Sequence, residues 1–150
     1  MTTQITETKP MSGEFTIELE RLIDAPIGAV WEAVLTEVGP GFLGRDSTPL
    51  GLKLETFPGG RWYRDLSNDT GHLWGHVQSI KPPALLELTG PLFMSLPVTN
   101  NVLYRLTEEG GKTTLRFVHS AFGPIPDDLP DGLREGWGSH VDAIERRSAR

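Results

Sequence analysis

The chain of 150 residues contains no cysteine, which removes disulfides, thiolate nucleophiles and thiolate metal ligands together. A reducing compartment fits that absence. Basic residues are also scarce. Fourteen Lys and Arg stand against 20 Asp and Glu, a formal net charge of −6, so the average field repels phosphate backbones and anionic lipid surfaces. Nucleic acid is not expected as a partner. No apolar stretch approaches the roughly 20 residues of a membrane span, and the opening MTTQITETKPMSGE lacks the basic-then-apolar pattern of a signal peptide. The expectation is a cytoplasmic protein without integral membrane contact. Also missing are GxSxG, a Walker loop, HExxH and a dinucleotide fingerprint, and with them the usual parts of serine acyl transfer, phosphoryl transfer and zinc hydrolysis. No cofactor and no metal are expected.

What is present suffices for one domain with its own core. Residues 1–13 are Thr-rich and polar, can bury little, and read as a flexible leader before a folded domain over 14–150. Phe15, Ile17, Leu19, Arg21 and Ile23 alternate with mostly polar neighbours, the period of a strand with one buried face. Asp24 stands where it can cap a following helix, Pro26 suits the first turn, and Val30, Trp31, Val34 and Leu35 supply an apolar stripe. A short second helix or a loop is expected over 36–44, broken by Gly39, Pro40 and Gly41. Segments 52–57 and 61–66 flank Pro58-Gly59-Gly60 as a hairpin, and further strand-like runs cover 72–80, 85–89, 98–107 and 113–122. Leu133, Trp137, Val141 and Ile144 then mark one face of a closing helix, with Gly136 and Gly138 beside the indole suggesting close backbone approach or a bend. This order predicts an α+β domain in which the last helix covers the concave side of a curved antiparallel sheet of about six or seven strands.

Several segments together resemble a known family. They are Asp24-Ala25-Pro26 with Val30-Trp31, Pro58-Gly59-Gly60-Arg61-Trp62, Gly75-His76-Val77 leading to Pro82-Pro83 and Leu85-Leu86, the run 115–122, and Gly136-Trp137. In that order and spacing the chain resembles the activator of heat-shock-protein-90 ATPase homologue group of the START-like (SRPBCC, helix-grip) superfamily, from about Phe15 to Arg147. The resemblance implies a helix-grip fold, two short helices after the first strand, a long C-terminal helix, and often an apolar cavity between sheet and helix. A single domain is expected, without the separate N-terminal region of the eukaryotic co-chaperones, which argues against stimulation of a chaperone ATPase. Because superfamily members bind lipids, hormones or polyketides, assist chaperones, or catalyse cyclisation and dehydration, fold alone does not fix function.

His119 shares strand parity with Leu115, Phe117 and Ala121, and His140 follows Trp137 by three residues, so both can point into the hollow and converge. The bland alternative is a partly buried histidine satisfied by a carbonyl or a water. His72 and His76, four apart in one strand with Trp74, lack a third donor and read as surface or cavity-rim groups. Tyr104 is expected inside with Val102 and Leu106, offering either an orienting hydroxyl or a structural one. The parity of Trp62 and Trp74 leaves open whether they line the hollow or the outer face. Trp31 and Trp137 read as core packing between helix and sheet. Arg21 lies on an otherwise apolar face, to be paired by a structural carboxylate or by an acidic ligand group. The cluster Asp127, Asp128 and Asp131 reads as a solvated connection near the last helix start. The candidate ligand-binding set is Trp62, Trp74, His76, Tyr104, Phe117, His119, Trp137 and His140, with no catalytic residue nominated. The expected function is non-catalytic binding of a small apolar or aromatic ligand by a carrier or sensor, monomeric or homodimeric. Two other readings stand beside it: a cyclase or dehydratase acting on a polyketide-like or aromatic substrate through His119, His140 or Tyr104, and a stress-related or chaperone-associated interaction module.

Overall fold

A computed structural model describes residues 13–149, and apart from Gly13 the expected leader lies outside them. Strand β1 (Gly13–Ile23) is followed by helix α1 (Ile27–Val38), then β2 (Leu52–Leu54), β3 (Arg61–Ser67), β4 (Thr70–Lys81), β5 (Leu85–Gly90), β6 (Thr99–Glu109), β7 (Lys112–Gly123) and helix α2 (Leu129–Ser148). The seven strands form one antiparallel sheet in the order β1-β7-β6-β5-β4-β3-β2. After β1 the chain crosses to the far edge by way of α1. It then returns strand by strand until β7 lies beside β1, in register from Gly13 opposite Gly123 to Ile23 opposite Thr113. Hairpin connections make every pairing from β2 to β7 local in sequence, which is why the meander was legible from its turns, whereas β1 with β7 joins distant segments. This is an α+β, helix-grip architecture.

In β1, Ile17 and Ile23 are buried and every even-numbered residue is exposed, as the alternation requires. Helix α1 buries Val30, Trp31, Ala33, Val34 and Val38. Two local expectations fail here. Asp24 does not cap the helix, whose N-cap is Pro26 without any side-chain bond. A single helix follows β1 rather than two, because Gly39, Pro40 and Gly41 cannot sustain another and the loop makes only an isolated bridge between Leu43 and Pro49.

Helix α2 lies on the concave face and buries Trp137, Val141 and Ile144, while half-buried Leu133 packs beside the core. It runs unbroken through Gly136 and Gly138, and a Cβ at either would meet nothing within 4 Å. The expected close backbone approach is therefore absent. Polar ties fix the helices to each other and to the sheet. Arg21 reaches Glu145 at 2.6 Å and Asp142 at 2.9 Å. Arg147 donates from Nε to the buried Glu37 carboxylate at 2.8 Å. The Trp62 indole donates to the Val38 carbonyl at 2.9 Å, satisfying an acceptor left open in the last turn of α1. Among the described residues, no helix is long and apolar enough to cross a membrane.

Candidate functional site

The space between the sheet and α2 is filled by aromatic rings. Trp62 of β3 and Trp74 of β4 stand with ring centroids 5.2 Å apart. Phe117 of β7 lies 4.7 Å from Trp137 and 5.2 Å from Tyr104 of β6. At their centre is Phe42, a half-buried residue of the loop after α1, 5.3 Å from Trp74, 5.2 Å from His140, 6.2 Å from Trp137 and 6.3 Å from Trp62. Most of these pairs are edge-to-face, the orientation that opposes the positive edge of one ring to the negative face of another. Two surface depressions, of about 190 Å³ beside Glu37, Gly41 and Arg147 and about 260 Å³ beside Glu14, Thr16 and Phe122, do not open onto these rings.

Two hydrogen-bonded polar groups are set into this apolar layer. In the first, the Trp137 indole donates to Nδ1 of His119 at 2.9 Å, and the opposite ring nitrogen lies 2.7 Å from Oδ1 of Asn100. An indole N–H can only donate, so Nδ1 is bare and Nε2 carries the proton, which it gives to Asn100. Asn100 in turn faces the Pro91 carbonyl at 3.4 Å. Burial pulls the His119 pKa down to about 4, so the ring is neutral near pH 7. In the second, the Tyr104 hydroxyl lies 2.8 Å from Nε2 of His140. The phenol meets no other acceptor among the described residues. It therefore donates to Nε2, and His140 holds its own proton on Nδ1. Burial lowers the His140 pKa to about 4 and raises that of the Tyr104 phenol well above its usual range.

The structure brings together seven of the eight candidate residues: Trp62, Trp74, Tyr104, Phe117, His119, Trp137 and half-buried His140. His76 is the exception, exposed on the convex face beside Arg61. A β-bulge explains the displacement. Trp62 pairs with Gly75 but Tyr63 pairs with Leu73, so Trp74 is an extra residue and parity shifts by one from Gly75 to Val77, until a second irregularity between Val77 and Ser79. Trp74 and Gly75 are both buried as a result, and a Cβ on Gly75 would overlap the Thr89 carbonyl of β5. His72 precedes the bulge and stays on the concave side, half-buried and 6.4 Å from Trp74. Arg21 is engaged by Asp142 and Glu145 rather than turned to the interior. Two residues of the cluster escaped the sequence reading. Asn100, fully buried, shares parity with Val102, Tyr104 and Leu106, and that polar residue in an inward series was the available signal. Phe42 lies in irregular chain, where no period marks a direction.

The family described as "Activator of Hsp90 ATPase homolog 1-like protein" matches residues 24–148, and the chain belongs to it. No curated protein matches the sequence significantly. Among solved structures, an uncharacterised protein from Rhizobium leguminosarum is similar with 19% identity and a TM-score of 0.70, over 95% of this chain and 99% of its own. CalU16 from Micromonospora echinospora is similar with 21% identity and a TM-score of 0.62, over 93% of this chain and 83% of its own. DynU16, a protein of the dynemicin biosynthetic locus, is similar with 22% identity and a TM-score of 0.62, over 87% of this chain and 46% of its own.

Proposed function

We propose that this member of the Hsp90-ATPase-activator-like family binds one small aromatic or apolar molecule between the sheet and α2, as a carrier or sensor rather than a catalyst. Phe42 is the observation that carries it. Trp62, Trp74, Tyr104, Phe117, His119, Trp137 and His140 hang from strands or from α2, whereas Phe42 at their centre is supplied by a loop and remains half-buried. A ligand ring can take its place among Trp62, Trp74 and Trp137 without breaking a strand or helix, keeping the apolar contacts that favour burial. The His140 ring, 5.2 Å from that of Phe42 and held in orientation by Tyr104, then borders the vacated space.

The titration behaviour favours binding over proton-transfer chemistry. A general acid or base works best with a pKa near the working pH. Burial instead moves His140 and His119 down to about 4 and Tyr104 upward, leaving three neutral hydrogen-bonding groups near pH 7. The likeness to DynU16, from a biosynthetic locus, supports a small-molecule ligand for this fold.

Tryptophan fluorescence titrated with indole, 2-naphthol and decanol tests the proposal. Saturable quenching with one site per chain is expected. Phe42→Ala, which removes the competing ring, should tighten binding by roughly tenfold, because apparent affinity is reduced by the fraction of molecules in which the site is closed. Phe42→Leu serves should the alanine variant fail to fold. No saturable response in the parent protein or in the folded variant would refute ligand binding here.

A further inference from the structure

The concave face carries a cation that none of these interactions uses. Arg64 of β3 lies two residues beyond Trp62 on the same face, directly opposite His72 of β4 and Leu52 of β2. Its neighbours in β3 turn the other way. Tyr63 lies under the Arg61 guanidinium at 4.5 Å, and Asp65 pairs with Lys53 at 3.2 Å on the convex surface. Glu55 is likewise committed to Arg61, at 2.8 Å. Arg64 Nε is buried without a hydrogen-bond partner, alone in this among the side-chain nitrogens and oxygens of the described residues. A guanidinium stays charged at any physiological pH and has donors only, so a buried N–H without an acceptor is an unmet demand for an oxygen. Nearby rings continue the apolar cluster toward it: His72 lies 6.4 Å from Trp74, and Trp74 lies 5.8 Å from Phe93, which is 40% exposed.

We propose that Arg64 is a carboxylate-binding residue, and that the ligand is an aromatic or aliphatic carboxylic acid. The inference rests on ligand binding between sheet and α2 as proposed above. The apolar body occupies the Phe42 position beside Trp62 and Trp74. Its carboxylate takes Nε and one terminal nitrogen of Arg64 as a two-pronged pair, the geometry in which a guanidinium matches a carboxylate. Two residues along a strand span roughly 7 Å, so a spacer of two or three carbons between ring and carboxylate joins the Trp62 level to the Arg64 level. His72, on the same face, offers a second nitrogen at the head-group end. The chain is acidic as a whole, with a net charge of −6, so anion selectivity has to come from this local pair rather than from the average field.

Calorimetric titration of 3-phenylpropionate and decanoate against 3-phenylpropanol and decanol tests the inference. In the parent protein each acid should bind at least tenfold more tightly than its alcohol. Arg64→Met should abolish that preference by weakening the acids far more than the alcohols. Arg64→Lys, which keeps the charge but not the fork, should retain a reduced preference and guards against a folding defect in the methionine variant. Alcohols binding as tightly as acids, or an acid preference that survives in Arg64→Met, would overturn the role of Arg64 while leaving ligand binding intact. If neither acids nor alcohols bind, the site itself is refuted and the carboxylate role with it.

Discussion

His119 already accepts the Trp137 indole N–H on Nδ1, so a second proton on the ring would face a hydrogen rather than a lone pair. The same ring is fully buried. Both facts disfavour the cation, and the sign of the pH effect follows. An unfolded histidine titrates near 6.5, whereas His119 and His140 titrate in the folded protein at about 4. Above the unfolded value neither state binds the proton and stability does not change. Between about 6.5 and 4 only the unfolded chain takes it up, so stability falls as pH falls, by at most about 3 kcal/mol per histidine. Urea unfolding at pH 7.5, 5.5 and 4.5 should show this loss, with a slope approaching two protons in the parent and about one in His140→Gln. Equal stability at pH 7.5 and 4.5 would contradict it. The inward direction of Tyr104, Phe117 and His119 was legible because β6 and β7 alternate regularly there. His76 was misplaced because a bulge adds one residue and leaves no mark in periodicity. Phe42 was missed because direction in a loop is set by contacts distant in sequence.

At the level of elements, the strands and α2 were readable from period and turns, whereas the chain between α1 and β2 was not. Two glycines and a proline within three residues signal an end to helix but not the path that follows. The glycines of α2 have the opposite character. Gly136 is exposed in mid-helix, and a Cβ there would meet nothing within 4 Å. Close approach or a bend was the expected reason for glycine at this position, and the packing removes the first. What remains is the conformational cost of glycine in a helix, about 0.5–1 kcal/mol relative to alanine. Gly136→Ala should therefore raise stability by about that amount, seen as a higher urea midpoint with an unchanged slope. A loss of stability would mean that α2 bends at Trp137 in solution, as the paired glycines first suggested.

For the molecule as a whole, the question is what keeps α2 gripped against the sheet and α1. Among the described residues two arginines span these parts through ion pairs, and their surroundings rank them. Arg21 links β1 to α2 through Asp142 and Glu145, whose side chains are 53% and 40% exposed. Water can replace either partner there, so Arg21→Ala should cost at most about 1 kcal/mol despite the short distances. Arg147 links α2 to α1 through Glu37, whose side chain is only 5% exposed. Arg147→Met leaves that carboxylate buried without its cation, and the penalty for an unpaired buried charge, about 2–3 kcal/mol, exceeds the worth of the pair itself. The double variant Glu37→Met with Arg147→Met removes the stranded charge as well and should recover most of the loss, a non-additivity that Arg21 with Asp142 should not show. Chemical denaturation of the parent, the single variants Arg21→Ala, Asp142→Ala, Glu37→Met and Arg147→Met, and the two double variants measures the ranking directly. Should Arg21→Ala prove the more damaging change, the grip is held from β1 rather than from α1.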